Sequence, residues 1–232
     1  MTWQSAGLSE KEVLSLPVDE LGLRILRDVR DSHEWNEYNW YLKMQQQARF
    51  SDVALRRCAE AWGWLRAKGL VARTPGQSAS EAIFVTRRGE QVLKEGPAVV
   101  HAAERLDVDL HPRLEAKVRR QFLLGEYELA AFAALKEVEV VVRDKAGEPT
   151  SSIGVPLMRR AFHPETGPLR DAAADAGERQ ARMDLYAGAI GLFKNPSSHR
   201  PVNYDDPTQA SEIILLADLL LRLVDPPSQA KP

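Results

Sequence analysis

The sequence predicts a mainly α-helical protein of two domains: three amino-terminal helices closed by a two-stranded hairpin, then a carboxy-terminal helical bundle. Three observations lead there. Apolar residues recur at helical spacing through most of the chain, with Leu21, Ile25, Leu26 and Val29 forming the first clear stripe. The period changes once, between residues 70 and 85, where two short apolar runs flank a stretch rich in Pro, Gly and Ser. From Pro112 onward the pattern is helical again, broken at Gly125, Gly147 and Gly167-Pro168.

The elements can be justified in order. Ser9-Glu10-Lys11-Glu12 reads as a capping box that opens a short helix, which Pro17 stops. Pro17 also suits the start of the helix that carries the Leu21–Val29 stripe. Residues 36–47 are helical and aromatic. Ser51 is placed as the N-cap of a third helix running through Val53, Leu55, Cys58, Trp62 and Leu65 to Lys68, with Gly69 just past its end. Leu70–Arg73 and Ala82–Val85 are the strands, joined by the turn Thr74–Ser80, and Thr86 caps a helix holding Val92 and Leu93. Three helices followed by a hairpin is the layout of a winged helix. The wording WLRAKGLVAR…EAIFVTRRGEQVL resembles the wing region of bacterial winged-helix domains over about residues 17–95.

The expected organisation is therefore a winged-helix domain with a short extension at 1–95, a linker at 96–111, a bundle at 112–225 and a tail at 226–232. Within the bundle, helices are expected over about 112–124, 126–145 and 175–194. A short helix holds Leu157, Met158 and Phe162. A last helix is opened by Asp206-Pro207-Thr208-Gln209 and runs through Leu223. In the long helix Met183, Tyr186, Ala187, Ile190 and Phe193 share one face.

Composition sets limits on function. With 31 Lys and Arg against 33 Asp and Glu, the net charge is −2, so nonspecific coating of nucleic acid by the whole-molecule field is excluded. Any nucleic-acid contact has to come from a local patch. A single cysteine, Cys58, rules out a disulfide framework and reads as a small buried hydrophobe. The start of the chain lacks the layout of a signal peptide, and the longest apolar stretch, Ile213–Leu221, is interrupted by Asp218 and too short for a bilayer. No membrane contact is expected, and the cytoplasm is the expected compartment. His33, His101, His111, His163 and His199 are scattered, no second cysteine exists, and no phosphate-cradling glycine loop or nucleophile elbow is present, so neither a metal nor a cofactor is expected.

The segment with chemical content is Phe193-Lys194-Asn195-Pro196-Ser197-Ser198-His199-Arg200. Pro196 forces Asn195 out of helical geometry, which puts Lys194 at the exit of the long helix and His199 in a polar turn. A histidine beside a cation in such a turn suits proton transfer near neutral pH. A local reading stands next to it: Lys194 complements the helix carboxyl end, Asn195 caps it, and His199 bonds its own loop. Glu139 and Arg143, four apart on one helix face, make either a solvated ion pair or part of a site, and Lys136, a turn earlier, can join either network.

The order of motifs in this half resembles the Ymh-type family of the HEPN superfamily. The matching stretches are Leu110-His111-Pro112, Gly125-Glu126-Tyr127 followed by Ala130–Arg143 with Glu139, Gly154 with Leu157 and Phe162, and Ala187–Ile190 leading into Lys-Asn-Pro-Ser-Ser-His, over about residues 108–225. The resemblance implies an HEPN-like helical bundle and a metal-independent endoribonuclease with an RNA substrate, working as a homodimer that pools both turns. It implies His199 as general acid or base while the RNA 2′-hydroxyl attacks, and Lys194 neutralising the developing phosphorane charge. Asn195 would hold phosphate or orient His199, and Glu139 would approach the turn and set its protonation state. It also implies a toxin or antiphage defence setting. Lys194 stands where the superfamily usually has arginine, which keeps the charge and loses the bidentate fork. Arg200 offers a second cation on the other side of His199.

In the amino-terminal domain residues 51–94 hold eight basic side chains against four acidic ones, a local excess in a chain of net −2. Arg56 and Arg57 on the third helix, with Arg73, Arg87 and Arg88 around the wing, are the candidate phosphate contacts; solvated surface charge is the other reading. DNA or a protein is the partner such a domain would take. The alternative to the nuclease is a non-catalytic DNA-binding regulator or a scaffold whose bundle mediates dimerisation or partner docking.

Overall fold

Helix starts are set by side chains that satisfy the orphan amides of the first turn. In the computed structural model, which describes residues 8–194 and 206–226, Ser9 and Glu12 form the expected reciprocal box at α1 (Glu10–Ser15). Asn36 accepts from the Asn39 amide at α3 (Glu37–Gln46), and Ser51 from the Ala54 amide at α4 (Asp52–Ala67). Between α1 and α3 lies α2 (Val18–Ser32), which ends where His33 turns left-handed at φ 54°. The protein is mainly helical and divides into two units, residues 1–100 and 101–232.

In the first unit the stripe Leu21, Ile25, Leu26 and Val29 is buried, as are Ala54, Cys58, Ala61, Trp62 and Leu65 of α4. Val53, in the first turn of α4, is exposed: it sits about 100° around the helix from Ala54, off the buried face. Trp40 and Trp62 meet edge to face with centroids 5.8 Å apart. The Trp40 Nε1–H donates to the buried Asp28 carboxylate at 2.8 Å. Burial pushes the Cys58 thiol up to about 12, so the only cysteine is an inert core residue.

The hairpin pairs β1 (Val71–Arg73) with β2 (Ile83–Val85) antiparallel, Ala72 opposite Phe84. A third segment, from the α2–α3 connection, lies against it. Asn36 bridges to Ala82, the Ile83 N–H donates to the Trp35 carbonyl at 2.8 Å, and the Glu37 N–H donates to the Glu81 carbonyl at 3.0 Å. Helix α5 (Arg87–Glu95) begins at Thr86, whose hydroxyl oxygen accepts from the Gly89 amide and donates to the Gly69 carbonyl at 2.7 Å. The segment expected as a linker contains α6 (Ala98–Arg105).

In the second unit α9 (Tyr127–Ala146) is the central helix, with Ala130, Ala131, Ala134, Leu135, Val138 and Val142 all buried. Around it stand α7 (Pro112–Glu115), α8 (Val118–Leu123), α10 (Gly154–Ala161), α11 (Ala176–Ala189) and α12 (Pro207–Val224). The helix expected over 112–124 is two pieces. Leu114, Val118 and Phe122 keep one buried stripe across the break, so periodicity could not register it. The helix expected to reach 194 leaves α geometry after Ala189 and finishes as a π-helical turn, Ile190–Lys194. Such widened turns carry one extra residue and recur at functional sites.

Two polar ties hold the bundle's ends. Tyr186 stacks on Phe162 at 4.1 Å and donates its hydroxyl to the Leu220 carbonyl at 2.7 Å; burial raises its pKa to about 12. His111, the buried N-cap of α7, accepts from the Arg113 amide on Nδ1 and so carries its proton on Nε2, which bonds the Asp225 carbonyl at 2.9 Å. The hydrogen bond from Lys145 to Asp225 holds that carboxyl below its usual range.

Two glycines should respond oppositely to the same substitution. A Cβ on Gly89 would come 2.3 Å from the Leu70 carbonyl oxygen, whereas one on Gly63, in the exposed middle of α4, would meet nothing within 4 Å. Gly89→Ala is expected to destabilise by about 1–3 kcal/mol through overpacking. Gly63→Ala is expected to stabilise by about 0.5–1 kcal/mol through helix propensity. Urea unfolding of each variant measures both signs.

Candidate functional site: a buried carboxylate between two cations

Helical spacing brings Glu139 and Arg143 to one side of α9, but not to solvent. The Glu139 side chain is 5% exposed and that of Arg143 15%. Their closest approach, Arg143 Nη1 to Glu139 Oε1, is 3.9 Å, an ion pair rather than a hydrogen bond. The solvated-pair reading of these two residues is therefore corrected: the chain interior surrounds them because α9 is covered on most of its circumference.

Glu139 Oε2 has two donors. One is the backbone N–H of Gly154, at 2.7 Å. Gly154 opens α10 with φ 66°, a conformation that a side chain resists. The loop before it is pinned by Ser152, whose hydroxyl donates to Glu148 at 2.6 Å and accepts from Arg160 at 2.8 Å. The other donor is Lys194, whose Nζ lies 3.2 Å from the same oxygen with only 12% of its side chain exposed. The π turn delivers it there. Ile190 is fully buried, and Gly191 lies close enough to α10 that a Cβ would stand 3.1 Å from Val155 Cγ2. The Lys194 ammonium also sits 6.0 Å from the centroid of the Phe132 ring, at the outer limit of a cation–π contact.

One carboxylate thus faces two cations and the first amide of a helix. The cluster carries a net positive charge in a mostly dry setting, where charge interactions are stronger than in water. An arrangement of this kind suits an anion arriving at its edge.

The residues singled out from the sequence fall as follows. Lys194, Glu139 and Arg143 come together in this cluster. Lys136 is on the exposed side of α9, and the described contacts of Glu139 do not include it. Asn195, His199 and Arg200 lie outside the described residues. Arg56 and Arg57 of α4, Arg73 of β1 and Arg87 of α5 are exposed, and Arg88 is half-buried. Gly154 and Phe132 were not recognised as parts of a site. Gly154 gave a signal, a glycine opening a helix behind a Ser-Ser-Ile loop, whereas nothing in the spacing marks Phe132. Among the described residues no three His, Cys, Asp or Glu side chains gather where they could hold a metal ion, and no helix is long and apolar enough to cross a membrane.

A family model described as "Protein of unknown function (Hypoth_ymh)" matches residues 108–224. The chain belongs to the Ymh family. The Ymh region begins just before His111 and closes at the end of α12, so it holds the whole Glu139 cluster. No curated protein and no solved structure matches the chain.

Two substitutions probe the cluster. Glu139→Ala removes the carboxylate that Lys194 and Arg143 share in the interior and is expected to cost about 3–5 kcal/mol. Gly154→Ala, which forces a side chain into positive φ, is expected to cost about 1–2 kcal/mol. Equilibrium unfolding in urea reads both, and a loss from Glu139→Ala no larger than that of an exposed-site control would show that the cluster is not an interior one.

Proposed function

We propose that the chain is a metal-independent endoribonuclease of the HEPN type, acting in the cytoplasm as a homodimer. The carrying observation is the Glu139–Lys194 pair. A buried carboxylate fixes the ammonium that directly precedes the Asn-Pro-Ser-Ser-His segment, and Arg143 adds a second cation to the same cluster. Phosphodiester cleavage by an internal 2′-hydroxyl asks for little more than a proton carrier and positive charge. In this reading His199 moves the proton and Lys194 offsets charge on the phosphorane. Asn195 donates to the phosphate or orients His199, while Glu139 sets the position of the turn and the state of its histidine. Arg200 supplies charge on the far side. Toxin or antiphage defence is the corresponding biological role.

The first unit is read as a winged helix that brings RNA, DNA or a protein partner to the bundle. What supports this is the third segment at the hairpin: a strand-like stretch between α2 and α3, bridged at Asn36–Ala82, adds to the small sheet beside α4. The exposed Arg56 and Arg57 on α4 favour a second reading, a non-catalytic DNA-binding regulator whose bundle dimerises or docks.

The test is incubation of wild-type and His199→Ala protein with total RNA in EDTA, followed by end-group analysis. Wild type is expected to leave 2′,3′-cyclic phosphate ends, and His199→Ala to lose about 100- to 10,000-fold in rate, the usual contribution of a positioned acid–base group. Undiminished cleavage by the variant would remove this mechanism. Sequence-dependent retention of duplex DNA, lost in Arg56→Ala/Arg57→Ala and unaffected by His199→Ala, would favour the second reading.

A further inference from the structure

We infer that the edge of α9 formed by Phe132 and Lys136 is the track on which a single-stranded RNA substrate reaches Lys194, the Phe132 ring stacking an unpaired base and the Lys136 ammonium meeting a phosphate. The inference rests on the nuclease reading and names the form of its substrate. At about 100° per residue, Lys136 stands about 40° around α9 from Phe132 and Arg143 about 20°, so the three share one side of the helix over roughly 16 Å of its length. This side is where the buried stripe of Leu135, Val138 and Val142 gives way to solvent: Phe132 and Arg143 are half-buried and Lys136 is exposed. Lys194, fixed by Glu139, lies against the same side, its ammonium 6.0 Å from the centroid of the Phe132 ring. At that distance the ring adds little to an ammonium that a buried carboxylate already holds. A base stacked on the ring would instead bring its own phosphate within reach of that cation.

Charge selects the occupant. Among the described residues Lys136 has no ion-pair partner. The carboxylates on this side of α9 are Glu139, which Lys194 and Arg143 share, and the half-buried Glu128, one turn before Phe132. Three cations, Lys136, Arg143 and Lys194, thus face two carboxylates, in a chain whose net charge is −2. Neither α10 nor the π turn, which meet α9 at Glu139, contains a carboxylate. The cations of α10 are Arg159 and Arg160, of which Arg160 is engaged by Glu148. An aromatic ring in line with cations is the combination on which unpaired bases stack while their phosphates meet charge. In a duplex both faces of each base are covered, so a ring on α9 accepts only an unpaired one.

The probe is a fluorescein-labelled oligouridylate with 2′-O-methyl riboses, which has no hydroxyl for the attack and stays intact whatever the bundle does to RNA. Binding to the full chain is followed by anisotropy across a salt series. Phe132→Leu, which keeps an apolar side chain, is expected to weaken binding by about 5- to 100-fold at every salt concentration, the usual loss per stacked base. Phe132→Tyr keeps the ring and is expected to bind like wild type. Lys136→Ala is expected to reduce the slope of log affinity against log salt by about 0.7, the share of one phosphate contact on a single strand, and Lys136→Arg to restore it. Glu128→Gln is expected to bind more tightly. Melting temperatures report folding, and the exposed Lys136 reads the track even where Phe132→Leu lowers stability. Full affinity in the Phe132→Leu/Lys136→Ala double variant, equal binding of the probe once annealed to its complement, or no binding at all overturns the inference, whatever the outcome of the cleavage assay in EDTA. Binding with the expected pattern but no cleavage of total RNA removes the nuclease reading and leaves the track as an RNA-binding surface.

Discussion

A single carboxylate oxygen organises the carboxy-terminal unit. Glu139 Oε2 receives the first amide of α10 and the ammonium at the end of the π turn, so three separately formed elements share one acceptor. An ionised carboxylate in a dry interior is costly unless it is paired and fully hydrogen-bonded. Here that requirement becomes a positional constraint. The amide of Gly154 and the Nζ of Lys194 must both arrive within bonding distance, and Arg143 stands close enough to share the charge. Wherever the chain goes after Lys194, it starts from a point fixed in this way.

The π turn and Gly154 are where local propensity gives way to this constraint. Residues 176–194 have no helix breaker after Gly191, and a regular α-helix would serve propensity equally well. The wider turn reorients the last residues and brings Lys194 onto Glu139. Gly154 likewise adopts a left-handed backbone at the start of a helix, and its amide is directed to the carboxylate. Departures of this sort concentrate where geometry serves something other than packing.

Much of the architecture could be read from the residues. The caps Ser9, Asn36, Ser51, Thr86 and Asp206 have the side-chain bonds their identities suggest, because a cap depends only on its own first turn. The buried stripes of α2 and α11 and the two strands of the hairpin also follow from local pattern. What stayed hidden depends on contacts distant in sequence. The break between α7 and α8 leaves the apolar stripe of Leu114, Val118 and Phe122 unchanged. For the site, the four-residue spacing of Glu139 and Arg143 was visible, yet it fits an exposed pair and a buried one equally. Burial comes from α10 and the π turn, which no spacing within α9 reports. Lys194 was legible as an exit residue from Pro196 alone, whereas Glu139, fifty-five positions earlier, came to the turn only through the family resemblance and not through any spacing.

Native-state hydrogen exchange at the Gly154 amide tests the shared-acceptor arrangement most directly. The first amide of a helix has no intrahelical partner and exchanges fast when only water satisfies it. Protection of Gly154 comparable to the buried middle of α9, lost in Glu139→Ala, is the expected result. Exchange as rapid as that of Ala176, the corresponding first residue of the exposed α11 start, would contradict it.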